Sequence, residues 1–151
     1  MSKKTEYALM ALAHLAEQPG RVASAREIAE AHDLPAPLLM NILKNLQGHG
    51  VLRSTRGVKG GYQIARELDS LSLYGLIAMV DCQGHATEGD CGCLEHAHDA
   101  AIQLTGSHGP VQALQLKLVR FLKDVRVASL VMPGRRIDVP VERLTLSRIN
   151  N

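Results

Sequence analysis

Residues 81–96, DCQGHATEGDCGCLEH, gather all three cysteines of a 151-residue chain, Cys82, Cys91 and Cys93, with two of its seven histidines and four carboxylates. Thiolates are ligands for zinc, copper(I) and iron–sulfur clusters. An odd number of thiols is a poor set for a disulfide framework. The order Cys82-x8-Cys91-x-Cys93-x2-His96 also lacks the paired CxxC knuckles of a zinc ribbon. Gly92 lets the backbone bend so that the sulfurs of Cys91 and Cys93 point one way. With Gly84 and Gly89 it makes the segment a loop, and a loop can wrap a cofactor. One further ligand completes a four-ligand site. The alternatives are a structural zinc site, a metal-free thiol redox switch and a purely structural set of cysteines. His85 and His98 are read as solvent-facing, and His14, His32, His49 and His108 as structural or exposed. Nothing in the chain has the pattern of a catalytic triad, a phosphate-cradling loop or a paired-carboxylate site, so an enzyme is the least supported class.

The elements that must position this segment are mostly helical. Ala and Leu dominate, the hydrophobic fraction is 46% and aromatics are only 3%, a composition that leans towards helix. The length fits one domain, with room for an appendage. No apolar run approaches the roughly 20 residues that span a bilayer. The basic-then-apolar start, MSKKTEYALMALAHLAE, lacks a small-residue cleavage pattern. The expected location is therefore the cytoplasm, where thiols stay reduced. The net charge of +2 hides a segregation: residues 1–66 carry nine Lys/Arg against five Asp/Glu, residues 67–109 seven acids and no Lys or Arg, and residues 110–151 eight bases against three acids. The basic outer parts suit a polyanion, and the acidic middle, which holds the cysteines, does not.

Residues 3–18 read as a helix whose apolar face is too broad for a surface helix, stopped by Pro19–Gly20. In SAREIAEAHDLP, Ser24 and Glu27 form a capping box, and a short helix ends near His32. Residues 33–35 are a turn. In the next helix Leu39, Ile42, Leu43 and Leu46 make one apolar stripe, with Asn41, Lys44 and Asn45 largely off it, and Gly48 and Gly50 end it. Two strand-like runs, VLRST and YQIAR, flank RGVKGG and form a β-hairpin with Arg56 and Lys59 at its tip. A helix-turn-helix followed by a basic-tipped hairpin is a winged helix. In that geometry Asn41, Lys44 and Asn45 would face the major groove, Arg56 the minor groove and Lys59 a phosphate.

The stretches TEYALMALAHLAE, SAREIAEAHDLP, LKNLQGHGVLRSTRGVKGGYQIAR and LSLYGLIAMVD resemble the N-terminal half of the Rrf-two (Rrf2) family of bacterial winged-helix transcription regulators, which includes IscR-like and NsrR-like iron–sulfur sensors. The strongest match is RGVKGGY, where the family usually has Arg-Gly, two variable residues and Gly-Gly-Tyr. The resemblance covers residues 3–96 and returns at 121–131. It implies an iron–sulfur cluster on Cys82, Cys91 and Cys93, with 2Fe–2S favoured over 4Fe–4S and zinc the alternative. It also implies two candidates for the fourth ligand. CLEH, residues 93–96, matches the Cys-Leu-x-His of IscR-like members, which points to His96. Glu6 stands where NsrR-like members have an acidic residue donated by the partner subunit, and where IscR-like members usually have a basic one. The cysteine spacing departs from the family's more even distribution, which bears on the cluster type.

Residues 71–80 read as a helix capped by Ser70 or Ser72 and leading into Cys82. Helix is expected again over 93–106, broken by SHGP at 107–110. The helix that follows carries Val111, Leu114, Leu118, Phe121, Leu122 and Val125 at helical spacing. The family dimerises through such a helix, and a two-fold dimer suits a pseudo-palindromic operator of double-stranded DNA. The expected fold is mainly α with a small β-hairpin wing. It comprises a winged-helix DNA-binding domain (1–80), a cysteine-rich cluster-binding loop and short helix (81–109), a dimerisation helix (110–131) and a C-terminal tail (132–151). The expected function is a homodimeric, non-enzymatic DNA-binding regulator whose affinity follows redox state, iron supply or nitric oxide through the cluster. Two other classes remain: a regulator answering a small organic ligand, and an iron–sulfur carrier or assembly partner that does not bind DNA.

Overall fold

The computed structural model describes residues 2–57, 60–81 and 110–132. Helix α1 (Lys3–Glu17) is the hub. Its Ala8, Ala11, Leu12 and Leu15 are buried, and small Ala side chains let neighbouring backbones come close. Around it pack α3 (Ala36–Gly48), α4 (Leu73–Asp81), β2 (Gly61–Ile64) and α6 (Val127–Val131). This explains the apolar face that is too broad for a surface helix.

Helix α2 (Ala25–Ala31) and α3 form the helix-turn-helix. Ser24 is the N-cap of α2 and its hydroxyl accepts from the Glu27 N–H at 3.1 Å, one half of the expected capping box, while the Glu27 carboxylate pairs with Arg21 instead of reaching back. The turn is closed by Asp33 at φ 52° and by the Leu34 N–H donating to the Ala29 carbonyl at 2.8 Å. That is a Schellman stop with Asp in the left-handed position usually held by Gly. Helix α3 ends the same way: Gly50 has φ 70°, and the Val51 N–H reaches the Leu46 carbonyl at 2.9 Å. Leu39, Ile42, Leu43 and Leu46 point inward and are buried.

Strands β1 (Leu52–Thr55) and β2 pair antiparallel, from Leu52 opposite Ile64 to Thr55 opposite Gly61. A bridge between Ala23 and Tyr62 adds the segment before α2 to this hairpin. A short 3-10 turn (Leu68–Ser70) leads to α4, where Ser72 and not Ser70 accepts from the first turn, at the Gly75 N–H 3.1 Å away.

The span 110–131, expected as one dimerisation helix, is two helices. Helix α5 (Pro110–Asp124) ends at Asp124, and the chain turns back. Leu73 donates to the Val125 carbonyl at 2.8 Å and Val127 to the Leu71 carbonyl at 2.9 Å. These bonds deliver Val127, Ala128 and Val131 of α6 into the winged-helix core. The helix expected over 93–106, the break at 107–110 and the tail beyond 132 lie outside the described residues, or nearly so.

The two glycines before Tyr62 have a steric reason. A Cβ on Gly61 would stand 2.3 Å from the Ala23 carbonyl oxygen, and one on Gly60 would stand 2.5 Å from that of Thr55. Both obstacles are backbone, so the hairpin would have to open. Gly61→Ala should therefore lower stability by about 1–3 kcal/mol, seen as a reduced denaturant midpoint at unchanged slope. An unchanged midpoint would show that the hairpin does not need this close approach.

Candidate nucleic-acid interface and metal centre

Helix α3 turns four side chains outward over its first nine residues: Pro37, Met40, Asn41 and Lys44 are exposed. Asn45, the third polar residue expected on this face, is half-buried, and its carbonyl accepts from His49 Nδ1 at 2.8 Å. Arg56 is exposed directly after β1, before Gly57 at φ 122°. Lys59 lies outside the described residues. Three ion pairs form among the described residues, Lys3–Glu6, Arg21–Glu27 and Arg26–Glu30. None of the three takes up Lys44, Arg53 or Arg56. The bases of α1 and α2 are thus partly neutralised within the fold, while the charge of Lys44, Arg53 and Arg56 is not taken up by these pairs.

Of the expected metal ligands, only Glu6 is described. Cys82, Cys91, Cys93 and His96 lie outside the described residues, as do His85, His98 and His108. Among the described residues no group of three His, Cys, Asp or Glu side chains is placed to hold a metal. Glu6 pairs with Lys3 at 3.1 Å, and the carboxylate raises the pKa of that ammonium. Both groups are substantially exposed, at 76% and 37%, so the pair contributes little to stability and Glu6 is free to exchange partners. His14 and His32 meet edge to face, with ring nitrogens 3.3 Å apart, and tie α1 to the end of α2.

The residue that fixes where the cysteine segment begins is Asp81. It sits at the carboxyl end of α4, where the helix dipole disfavours an anion. It is received at the amino end of α1, where the dipole favours one. The Ser2 hydroxyl donates to its Oδ1, and the Thr5 hydroxyl donates to Oδ2 at 3.1 Å. Ser2 also caps α1, accepting from the Thr5 N–H at 3.2 Å. Thr5 is wholly buried, so Asp81 satisfies a hydroxyl that has no access to water. The residue before Cys82 is thereby bonded to the residue before Glu6. Sequence reasoning singled out neither Asp81 nor Ser2. The available signal was an acidic residue at a helix carboxyl end, which calls for a partner.

Thr5→Val removes that hydroxyl and should lower stability by about 1–3 kcal/mol. In an Asp81→Ala background the same change should cost clearly less, because the two residues share one contact. Additive losses in chemical denaturation would show that the contact carries no energy.

A family model described as Rrf2, an iron-dependent transcriptional regulator, matches residues 1–133. A protein of Aquifex aeolicus named as an HTH-type transcriptional regulator is 36% identical over 52% of this chain and 54% of its own length. The chain therefore spans about half the length of that curated relative. The HTH-type transcriptional regulator IscR of Sodalis glossinidius is 27% identical over 92% of this chain and 82% of its own. A crystal structure of the oxidized form of Staphylococcus aureus CymR superposes with a TM-score of 0.61 at 25% identity, covering 86% of this chain and 94% of that one. The helix-turn-helix, the wing with its paired glycines and the match over nearly nine-tenths of the sequence have one meaning: the chain belongs to the Rrf2 family of transcriptional regulators.

Proposed function

We propose that this chain is a homodimeric DNA-binding regulator whose affinity for a pseudo-palindromic operator is governed by an iron–sulfur cluster. The observation that carries the DNA half is the outward face of α3. It carries Asn41 and Lys44 on the helix of the motif that enters a major groove, and Lys44 and Arg56 both stand outside the ion pairs found among the described residues. In this reading Asn41 and Lys44 contact base edges, with Asn45 at the margin. Arg56 enters the minor groove and Lys59 meets a phosphate. The dimer half rests on α5, where Leu114, Leu118 and Phe121 form an exposed apolar ridge at spacings of four and three. A ridge of that kind is covered by a partner in a soluble protein. On its other side Lys123 lies 4.9 Å above the Tyr74 ring of α4, which holds α5 against the same domain.

The sensor half rests on donor chemistry. Cys82, Cys91 and Cys93 supply three thiolates, and His96 or Glu6 supplies the fourth ligand. This set suits iron–sulfur ligation, of which 2Fe–2S is the favoured form. When bound, the cluster supplies a charge and a demand for ligands that change with oxidation, iron supply or nitric oxide. The protein's part is mechanical. Asp81, the residue before the first cysteine in sequence, is bonded to Ser2 and Thr5 at the head of α1, and α1 packs directly on α3. A change in how the thiolates are held thus has a rigid route to the reading helix, and operator spacing is geometric.

A second reading is a thiol switch without metal, in which Cys91 and Cys93, one residue apart, respond to oxidants. Its support is the likeness to a CymR structure described as an oxidized form. The cavity beside His14, Glu17 and Arg21, among the described residues, is about 30 Å³, enough for a water or two and far below the ~300 Å³ of an organic-ligand pocket.

The deciding measurement is the visible spectrum, with iron and sulfide assays, of protein purified without oxygen, beside a Cys93→Ala variant. Coloured protein with acid-labile sulfide, bleached in the variant, is the expected result. Colourless protein would leave zinc or the thiol switch. For the DNA half, Lys59→Ala should weaken binding to all sequences alike and reduce the salt slope by about one. A change in sequence preference would remove Lys59 from its phosphate.

A further inference from the structure

Among the described residues six large apolar side chains stand in water. Leu114, Leu116, Leu118 and Phe121 belong to α5 and Met10 to α1, which leaves Met40 alone on α3 at 44% exposure. Met40 lies between Pro37, one turn earlier, and Lys44, one turn later, on the helix's outward face, with Asn41 about 100° round the same face. The inward stripe of α3 is complete without it, since Leu39, Ile42, Leu43 and Leu46 already fill the core side. Packing therefore does not account for a thioether at this position. The major groove offers one apolar group at its base edges, the C5 methyl of thymine, and it offers adenine N6 and N7 to an Asn. Met40 and Asn41 are consecutive, so their side chains diverge by about 100° around the helix and reach neighbouring base pairs.

We infer that Met40 is a specificity-determining residue that reads a thymine methyl in each half-site, next to an adenine read by Asn41. The inference rests on the DNA-binding proposal above and deepens it. A thioether chain is flexible and polarisable, so it can follow a methyl group without the fixed geometry that a hydrogen bond demands. It contributes discrimination without charge, whereas Lys44 and Arg56 contribute attraction that every sequence shares.

The experiment uses the full chain, as purified without oxygen. Duplexes are enriched from a random library, and each thymine of the enriched site is replaced in turn by deoxyuridine, which removes only the methyl group. Wild-type protein should lose about fourfold in affinity at one thymine per half-site, the value of one methyl withdrawn from an apolar contact. Met40→Ala should bind the parent site correspondingly less well and be indifferent to uracil at that position. Met40→Leu, which keeps an apolar side chain, should retain the sensitivity. Equal uracil penalties in wild type and Met40→Ala at every thymine would overturn the inference and leave DNA binding intact. Failure to enrich any duplex would overturn both.

Discussion

Helix α1 is the support on which the rest of the molecule is assembled. The reading helix α3, the wing strand β2, the linker helix α4 and the returning helix α6 all pack against it. Burial on so many sides leaves little room for polar groups, and Thr5 is the buried polar residue of the described core. A hydroxyl in that position costs stability unless it is bonded. Asp81 supplies the bond from 76 residues away. The same carboxylate takes a second hydrogen bond from Ser2 and lies where the dipole of α1 attracts it. One side chain thus satisfies a buried hydroxyl, reinforces a helix cap and fixes the point at which α4 gives way to the cysteines.

This arrangement has a mechanical consequence. A purely apolar contact between α4 and α1 would tolerate sliding, because dispersion and hydrophobic burial are nondirectional. Hydrogen bonds to both carboxylate oxygens define orientation as well as distance. The end of α4 is therefore held in register with the head of α1, and α1 is held in register with α3 through close Ala and Leu packing. The antiparallel bonds between residues 71–73 and 125–127 fix the start of α4 in the same way, so that helix is pinned at both ends.

Much of this was legible in the sequence where the signals are local. The Ser24 cap, the apolar stripe of α3 and the two-stranded hairpin each depend on residues within a few positions of one another, and the structure has each of them, although the Glu27 carboxylate accepts from Arg21 instead of closing the capping box. The turn inside the helix-turn-helix was placed correctly, but its chemistry was not read, because Asp33 occupies a left-handed position for which Gly is the usual signal. The return of α6 was not legible. Its side chains carry the same helical spacing as α5, and the reversal is set by backbone pairing with residue 72, more than fifty positions earlier. The Thr5–Asp81 contact was hidden by the same sequence distance. Only half of the candidate site could be placed: Asn41, Lys44 and Arg56 lie outward, whereas the cysteines and His96 were read from residue type and spacing.

The charge pattern also changes meaning once the fold is known. Nine bases in residues 1–66 look like a basic domain, yet Lys3, Arg21 and Arg26 are already paired with carboxylates on α1 and α2. Exposed ion pairs contribute little to stability, but they neutralise the surface around the reading helix. Of the described bases of residues 1–66, Lys4, Lys44, Arg53, Arg56 and Arg66 stand outside these three pairs, and three of these five lie on α3 and the hairpin. A polyanion is drawn most strongly to unneutralised charge in a confined place. The fold therefore narrows a diffuse excess of bases, leaving most of the unneutralised ones of this half on α3 and the hairpin.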